Sequence, residues 1–148
     1  MKPAILVSRL VFPEVIERLA AHFTLDYHRA DAALPPAELA TRLTGKQGAL
    51  VMLSDRIDAA TLAAAPGLQA VCNVAVGYNN LDLDALSAAG VMATNTPGVL
   101  DDTTADTAWA LLLASARRVV AADKWVRDGH WAGWKFHDDW LGSDVHHA

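Results

Sequence analysis

The stretch LQAVCNVAVGYNNLDLDALSAAGVMAT, residues 68–94, decides the fold. Leu68 to Asn73 is an apolar run of strand length. A loop of small residues follows, with one glycine, Gly77, and two asparagines, Asn79 and Asn80. Asp82 suits the cap of a helix over about Asp82 to Ala89, and Gly90 is its stop signal. Val91 to Thr94 is then a second short strand. Strands joined through a helix lie parallel, so this stretch reads as one β–α–β unit.

The same alternation runs back to the start of the chain. Ala4 to Ser8 is a strand, and Pro13 opens a helix through about His22, proline being well placed in a first turn. Leu25 to His28 is a weaker strand suited to an edge. Pro35-Pro36 introduces a helix to about Leu43, with Gly45 as its stop, and Ala49 to Leu53 is a third strand. Asp58 caps a further helix that ends before Pro66-Gly67. Five β units in strict alternation predict an α/β fold with a parallel sheet and helices on both faces. Right-handed crossovers favour the doubly wound, flavodoxin-like order 2-1-3-4-5. Ligands of such sheets bind beyond the carboxyl ends of the strands, which is where the 74–80 loop sits.

After Pro97-Gly98 the rhythm changes, which divides the chain into residues 1–99 and 100–148. Asp101-Asp102-Thr103-Thr104 is a helix start, with Asp106 placed for the first turn. One long helix is expected from Ala105 to about Arg127. Its middle, Ala108 to Ala114, is apolar all round, so it must be covered on more than one side. An aromatic arm, GHWAGWKFHDDWLG, follows at 129–142.

Composition excludes several classes. A net charge of −5 with scattered Lys and Arg leaves no basic stripe, which argues against nucleic acid. No apolar run reaches the roughly 20 residues that span a bilayer, so no membrane partner is expected. The N-terminus lacks the apolar region of a signal peptide. The single cysteine, Cys72, builds no disulfide framework, and its strand position predicts a buried thiol. Together these read as a soluble, cytoplasmic chain. No metal site is expected: the pair His146-His147 belongs to no recognisable triad, and adjacent residues do not face one way on a helix.

Two readings of the loop stand on the residues alone. Small residues at a strand's carboxyl end can gather backbone N–H groups into a nest for an anion such as a carboxylate, and Gly77 would let a ligand approach. Alternatively the loop is an ordinary βα turn in which the asparagines serve only geometry. Two rivals sharing the sheet order fail locally. A phosphate-accepting receiver needs acids after its first strand, where Ser8-Arg9 stands, and a lysine at its fifth, where Thr94-Asn95-Thr96-Pro97 stands. A flavodoxin needs a hydroxyl- and glycine-rich phosphate loop where Leu10-Val11-Phe12-Pro13 lies.

The combination of V-G-Y-N-N-L-D, T-N-T-P-G-V-L and T-A-D-T-A on an apolar helix resembles the N-terminal region of the D-isomer-specific 2-hydroxyacid dehydrogenases. The likeness covers essentially the whole chain and is densest from Leu68 to Arg118. Trp131-Ala132-Gly133-Trp134-Lys135 and Asp144-Val145-His146-His147 look like the glyoxylate, hydroxypyruvate and 2-ketogluconate reductase branch. The resemblance implies an oxidoreductase that moves hydride between NAD or NADP and a small 2-keto or 2-hydroxy acid. By position, the backbone at Val76 and Gly77 would hold the substrate carboxylate, with Leu53 and Ser54 as another wall. Val76 would also lie against the nicotinamide, and Thr104 matches a position near the cofactor, unless it merely caps its helix. Trp134 matches a residue that reaches a partner subunit's pocket in this branch, or it only packs. A homodimer through the 105–127 helix and the tryptophan arm is implied as well.

The family's dinucleotide-binding domain carries G-x-G-x-x-G, which these 148 residues lack. Its catalytic arginine, glutamate and paired histidine have no counterpart here either. No catalytic residue is therefore assigned. The polypeptide alone is expected to bind no cofactor and to show little or no turnover. The alternative is a non-catalytic flavodoxin-like fragment that folds or dimerises without ligand.

Overall fold

Alternation of side chains along each strand builds the sheet from two unlike faces. The computed structural model describes residues 1–135 and 140–146, and the chain falls into two compact units, Met1–Val99 and Leu100–Ala148. The first runs β1 (Ala4–Val7), α1 (Pro13–His22), β2 (Thr24–Tyr27), α2 (Pro36–Leu43), β3 (Gly48–Val51), α3 (Ala59–Ala63), β4 (Ala70–Asn73), α4 (Leu83–Ala89) and β5 (Met92–Thr94). All neighbours pair parallel in the order β2-β1-β3-β4-β5, the doubly wound arrangement the sequence predicts. Asp58 and Asp82 cap α3 and α4 by accepting the N–H groups of Thr61 and Ala85, and Gly90 ends α4 in the left-handed conformation.

One face of the sheet carries Leu6, Ala49, Val71 and Ala93 in register. They pack against Leu39 and Leu43 of α2, Leu62 of α3 and Leu86 of α4, and this layer is the hydrophobic core. Truncating one of its fully buried leucines, Leu6 or Leu43, to alanine costs about 2–5 kcal/mol. The opposite face carries Val7, Leu50, Cys72 and Thr94. Here α1 leaves an apolar groove of about 860 Å³ between Phe12, Ile16, Leu50 and Val74. Helices therefore lie on both faces, but three on one and one on the other.

This asymmetry corrects the expectation for Cys72. Its thiol is exposed, as are Met92 and Thr94 beside it, because no helix of the first unit covers that face at β4 and β5. The third strand is also shorter than expected. It ends at Val51, so Leu53 and Ser54 stand in a turn closed by the Asp55 N–H on the Met52 carbonyl at 2.9 Å.

The second unit departs more from its sequence reading. The helix begins at Asp101 rather than Ala105, and it is two helices, α5 (Asp101–Ala116) and α6 (Val119–Arg127). The break falls at Arg118, whose φ of 53° is left-handed, a conformation costing a non-glycine residue roughly 1–2 kcal/mol. Local contacts oppose that cost. The Arg118 guanidinium lies 5.0 Å from the Trp140 ring centre, and Arg117 pairs with Asp144 at 3.0 Å. The Ala116 carbonyl, freed by the break, accepts the Ser143 N–H at 2.8 Å. Gly142 is required there: a Cβ would sit 2.5 Å from that same carbonyl oxygen. Among the described residues of the arm, His130, Trp131 and Trp140 lie against Trp125 of α6. No residue of α5 is buried, and Trp109, Leu111, Leu112 and Leu113 are exposed.

The edge strand is tied down electrostatically. Asp26 of β2 accepts from Arg42 of α2 and lies 3.3 Å from Lys46 Nζ. Burial by itself would raise the Asp26 pKa, but the hydrogen bonds and charges of Arg42 and Lys46 outweigh it and hold the carboxyl below its usual range. A depressed folded-state pKa stabilises the fold above the unfolded value, and the gain disappears as pH falls through the folded one. Asp26→Asn should thus cost about 1–2 kcal/mol at pH 7. The difference from the parent in urea unfolding should close in acid, below the ordinary carboxylate range.

Candidate anion-binding site

β4 ends at Asn73, and the chain leaves the sheet through the exposed residues Val76, Gly77, Tyr78 and Asn79. Every carbonyl from 75 to 78 is occupied. Ala75 O accepts the Thr96 N–H at 2.9 Å, and Tyr78 O accepts the Leu81 N–H at 2.9 Å. Val76 O accepts from Asn95 Nδ2 at 2.8 Å, and Gly77 O from Asn73 Nδ2 at 2.9 Å. The N–H groups of Val76, Gly77, Tyr78 and Asn79 meet no acceptor among the described residues. All peptides are trans, and in a trans peptide the N–H points opposite to the preceding C=O. Tying four successive carbonyls into the protein turns the four following N–H groups away from it. The result is a row of free donors in an exposed loop at the carboxyl edge of the sheet; where such donors converge they can hold an anion.

Behind the loop lies a buried polar cluster. Ser8 and Asn73 at strand ends and Asp55 in the 52–55 turn are all buried. Ser8 Oγ donates to Asp55 Oδ2, which also takes the Met52 N–H at 2.8 Å. Asn80 Nδ2 donates to the carbonyls of Met52 and Asp55 at 3.1 and 2.9 Å. The side-chain amides of Asn73 and Asn80 also face each other, each within hydrogen-bond distance of the other's oxygen at 3.1 and 3.2 Å. Asn80 thus serves geometry, by joining two loops. The sequence reading missed Ser8, Asp55, Asn73 and Asn95; a polar residue closing an apolar strand was the available signal for Ser8 and Asn73.

The turn bearing Leu53 and Ser54 is brought beside the loop: a Cβ on Gly77 would lie 3.9 Å from Leu53 Cδ1. Leu53, Ser54, Val76 and Gly77 are all exposed at this edge. Thr104 and Trp134 belong to the second unit. Thr104 does not cap its helix: the cap position is Leu100, whose carbonyl accepts the Thr104 N–H at 2.9 Å. Trp134 is 93% exposed and packs edge-on against Trp131. Of the histidine pair, His147 lies outside the described residues, and no His, Cys, Asp and Glu cluster among those described could hold a metal. None of the helices described is long and apolar enough to cross a membrane.

Comparison with known proteins decides the family. The catalytic domain of the D-isomer specific 2-hydroxyacid dehydrogenases matches residues 5–132. The chain belongs to this family. Glyoxylate reductase of Thermococcus kodakarensis is 40% identical over 99% of this chain and 45% of its own length. Glyoxylate/hydroxypyruvate reductase B of Yersinia enterocolitica is 41% identical, again over 99% of this chain, and 44% of its own length is covered. Among solved structures, the NADPH-dependent glyoxylate/hydroxypyruvate reductase of Sinorhizobium meliloti, in complex with NADP and malonate, has a TM-score of 0.66 at 36% identity, over 88% of this chain and 40% of that one. The 2-hydroxyacid dehydrogenase of Ketogulonicigenium vulgare has a TM-score of 0.75 at 31% identity, over 98% and 45%. The chain thus spans a little under half the length of the curated relatives it matches.

Within this dehydrogenase domain Gly77 is not demanded by the fold. Its φ is not positive, and a Cβ would meet only an ordinary contact with Leu53. Neither φ nor packing thus requires a glycine at this position, and its missing side chain leaves the backbone open to close approach. Gly77→Ala should therefore change the urea midpoint by less than the equivalent of about 0.5 kcal/mol. It should also weaken carboxylate binding about tenfold, read by titration with oxalate.

Proposed function

We propose that this chain supplies the carboxylate-binding part of an NAD(P)-dependent oxidoreductase that interconverts 2-keto acids and D-2-hydroxy acids. Glyoxylate, hydroxypyruvate and 2-ketogluconate are the substrates this reading favours. The observation that carries it is the row of unpaired N–H groups at Val76 and Gly77 behind clamped carbonyls. Fixed main-chain donors suit a carboxylate because they are already oriented and need no mobile charged side chain. Leu53 and Ser54 form the facing wall. The exposed apolar side chain of Val76 suits one face of a nicotinamide ring, and Thr104 is assigned to the cofactor side on its match to the family's pattern alone. NAD or NADP, when bound, supplies the hydride; the chain's share is to hold the acid's negative end and keep its keto carbon in one place.

The same 148 residues by themselves carry no turnover in this proposal. Reducing a keto acid needs an electrophilic group at the carbonyl, a proton donor and a bound hydride source. The family's arginine, glutamate and histidine are not among these residues, and neither is its glycine-rich dinucleotide loop. A cytoplasmic location accords with a lone thiol and no disulfide partner. The exposed apolar side chains of α5, with Trp134 on the arm, favour a homodimer through α5, α6 and the arm, where Trp134 would enter the partner's pocket.

Two measurements test this reading. Titration of the chain with oxalate or glyoxylate should give saturable, weak binding, on the order of millimolar, with no oxidation of NADH or NADPH. Absence of any binding would leave only a folded, ligand-free fragment, and turnover comparable to full-length reductases would contradict the inactivity. Light scattering at tens of micromolar, roughly the range in which weak association shows, should report a dimer or larger; a clean monomer would count against the proposed interface.

A further inference from the structure

Two of the four carbonyl clamps are side chains rather than backbone. Asn95 Nδ2 holds Val76 O, and Asn73 Nδ2 holds Gly77 O. Each fixes one peptide plane and so aims one N–H, that of Gly77 and that of Tyr78 respectively. The two clamps differ in their surroundings. Asn73 is fully buried and also pairs with Asn80, whereas Asn95 is only half-buried, follows β5, and makes this single side-chain bond, to a residue 19 positions away. Asn95 is therefore a part that can be removed without opening the core.

We propose that Asn95 is a positioning residue of the site: its side-chain amide clamps the Val76 carbonyl and thereby presents the Gly77 N–H to the substrate carboxylate. The inference rests on the carboxylate reading of the loop, but the clamp itself can be measured without ligand. With the donor gone, nothing among the described residues holds the Val76–Gly77 plane, and the Gly77 N–H must be ordered by the ligand at the moment of binding. That ordering weakens affinity, as any loss of preorganisation does. Asn95→Asp keeps the shape and exchanges the donor for an acceptor facing the Val76 carbonyl oxygen; Asn95→Ala removes both.

The test uses the 148-residue chain, with nitrogen relaxation of the backbone amides, urea unfolding and oxalate titration on the parent, Asn95→Ala and Asn95→Asp. In both variants the Gly77 amide should become mobile while the amides of β1 and β3 stay rigid and the urea midpoint stays put. Oxalate affinity should drop about tenfold in Asn95→Ala, the effect of one charge-assisted hydrogen bond, and further in Asn95→Asp. Parent-like affinity in Asn95→Ala overturns the proposal. So does weaker binding that comes with a lowered midpoint and an unchanged Gly77 amide, since that is stability alone. If the parent itself ignores oxalate, the carboxylate reading falls. The clamp is then judged by relaxation: selective loosening at Gly77 in Asn95→Ala upholds it, and unchanged relaxation overturns it.

Discussion

A trans peptide cannot turn its carbonyl one way without turning the next N–H the other. Beyond β4 this constraint is applied four times in succession. Backbone donors at Thr96 and Leu81 and side-chain donors at Asn95 and Asn73 take the carbonyls of residues 75–78. An exposed loop could have left these carbonyls to water. Binding them to the protein turns each following N–H away from its carbonyl's partner, so these donors are oriented before any ligand arrives. The donors are backbone, hence rigid, and their charge is partial, so an unoccupied site does not carry a buried cation.

The rest of the first unit makes that loop dependable. The order β2-β1-β3-β4-β5 puts the ends of β1, β3 and β4 side by side, and a polar residue stands at or just beyond each. The buried Ser8, Asp55 and Asn73 and the half-buried Asn80 join them into one hydrogen-bonded cluster. These hydrogen bonds fix a geometry that apolar packing would leave looser, although the buried Asp55 Oδ1 meets no partner among the described residues. Core leucines from α2, α3 and α4 support it from one face, whereas the other face keeps an open groove under α1.

Elements set by neighbouring residues were legible in the sequence. The strand order follows from β–α alternation, and the caps at Asp58 and Asp82 and the stop at Gly90 lie where their side chains permit. Features set by distant residues were not legible. Nothing near Asn95 says that its amide reaches Val76, and nothing near Asn80 says that it holds Met52, 28 positions earlier. The exposure of Cys72 depends on which face of the sheet α1 covers, a tertiary fact that a strand's own residues do not encode. The break between α5 and α6 was hidden because Arg117-Arg118 carries no glycine or proline. The contacts that make a left-handed Arg118 tolerable come from Trp140, Gly142 and Asp144, more than twenty residues on.

The central claim is that the Val76 and Gly77 N–H groups stand free until an acid's negative end takes them. Hydrogen exchange of single amides reads this directly. Without ligand these two amides should exchange nearly as fast as in an unstructured peptide, while that of Val71 inside β4 is strongly protected. Saturating oxalate should slow Val76 and Gly77 selectively. Strong protection of both amides without ligand, or exchange that oxalate leaves untouched, would contradict the account.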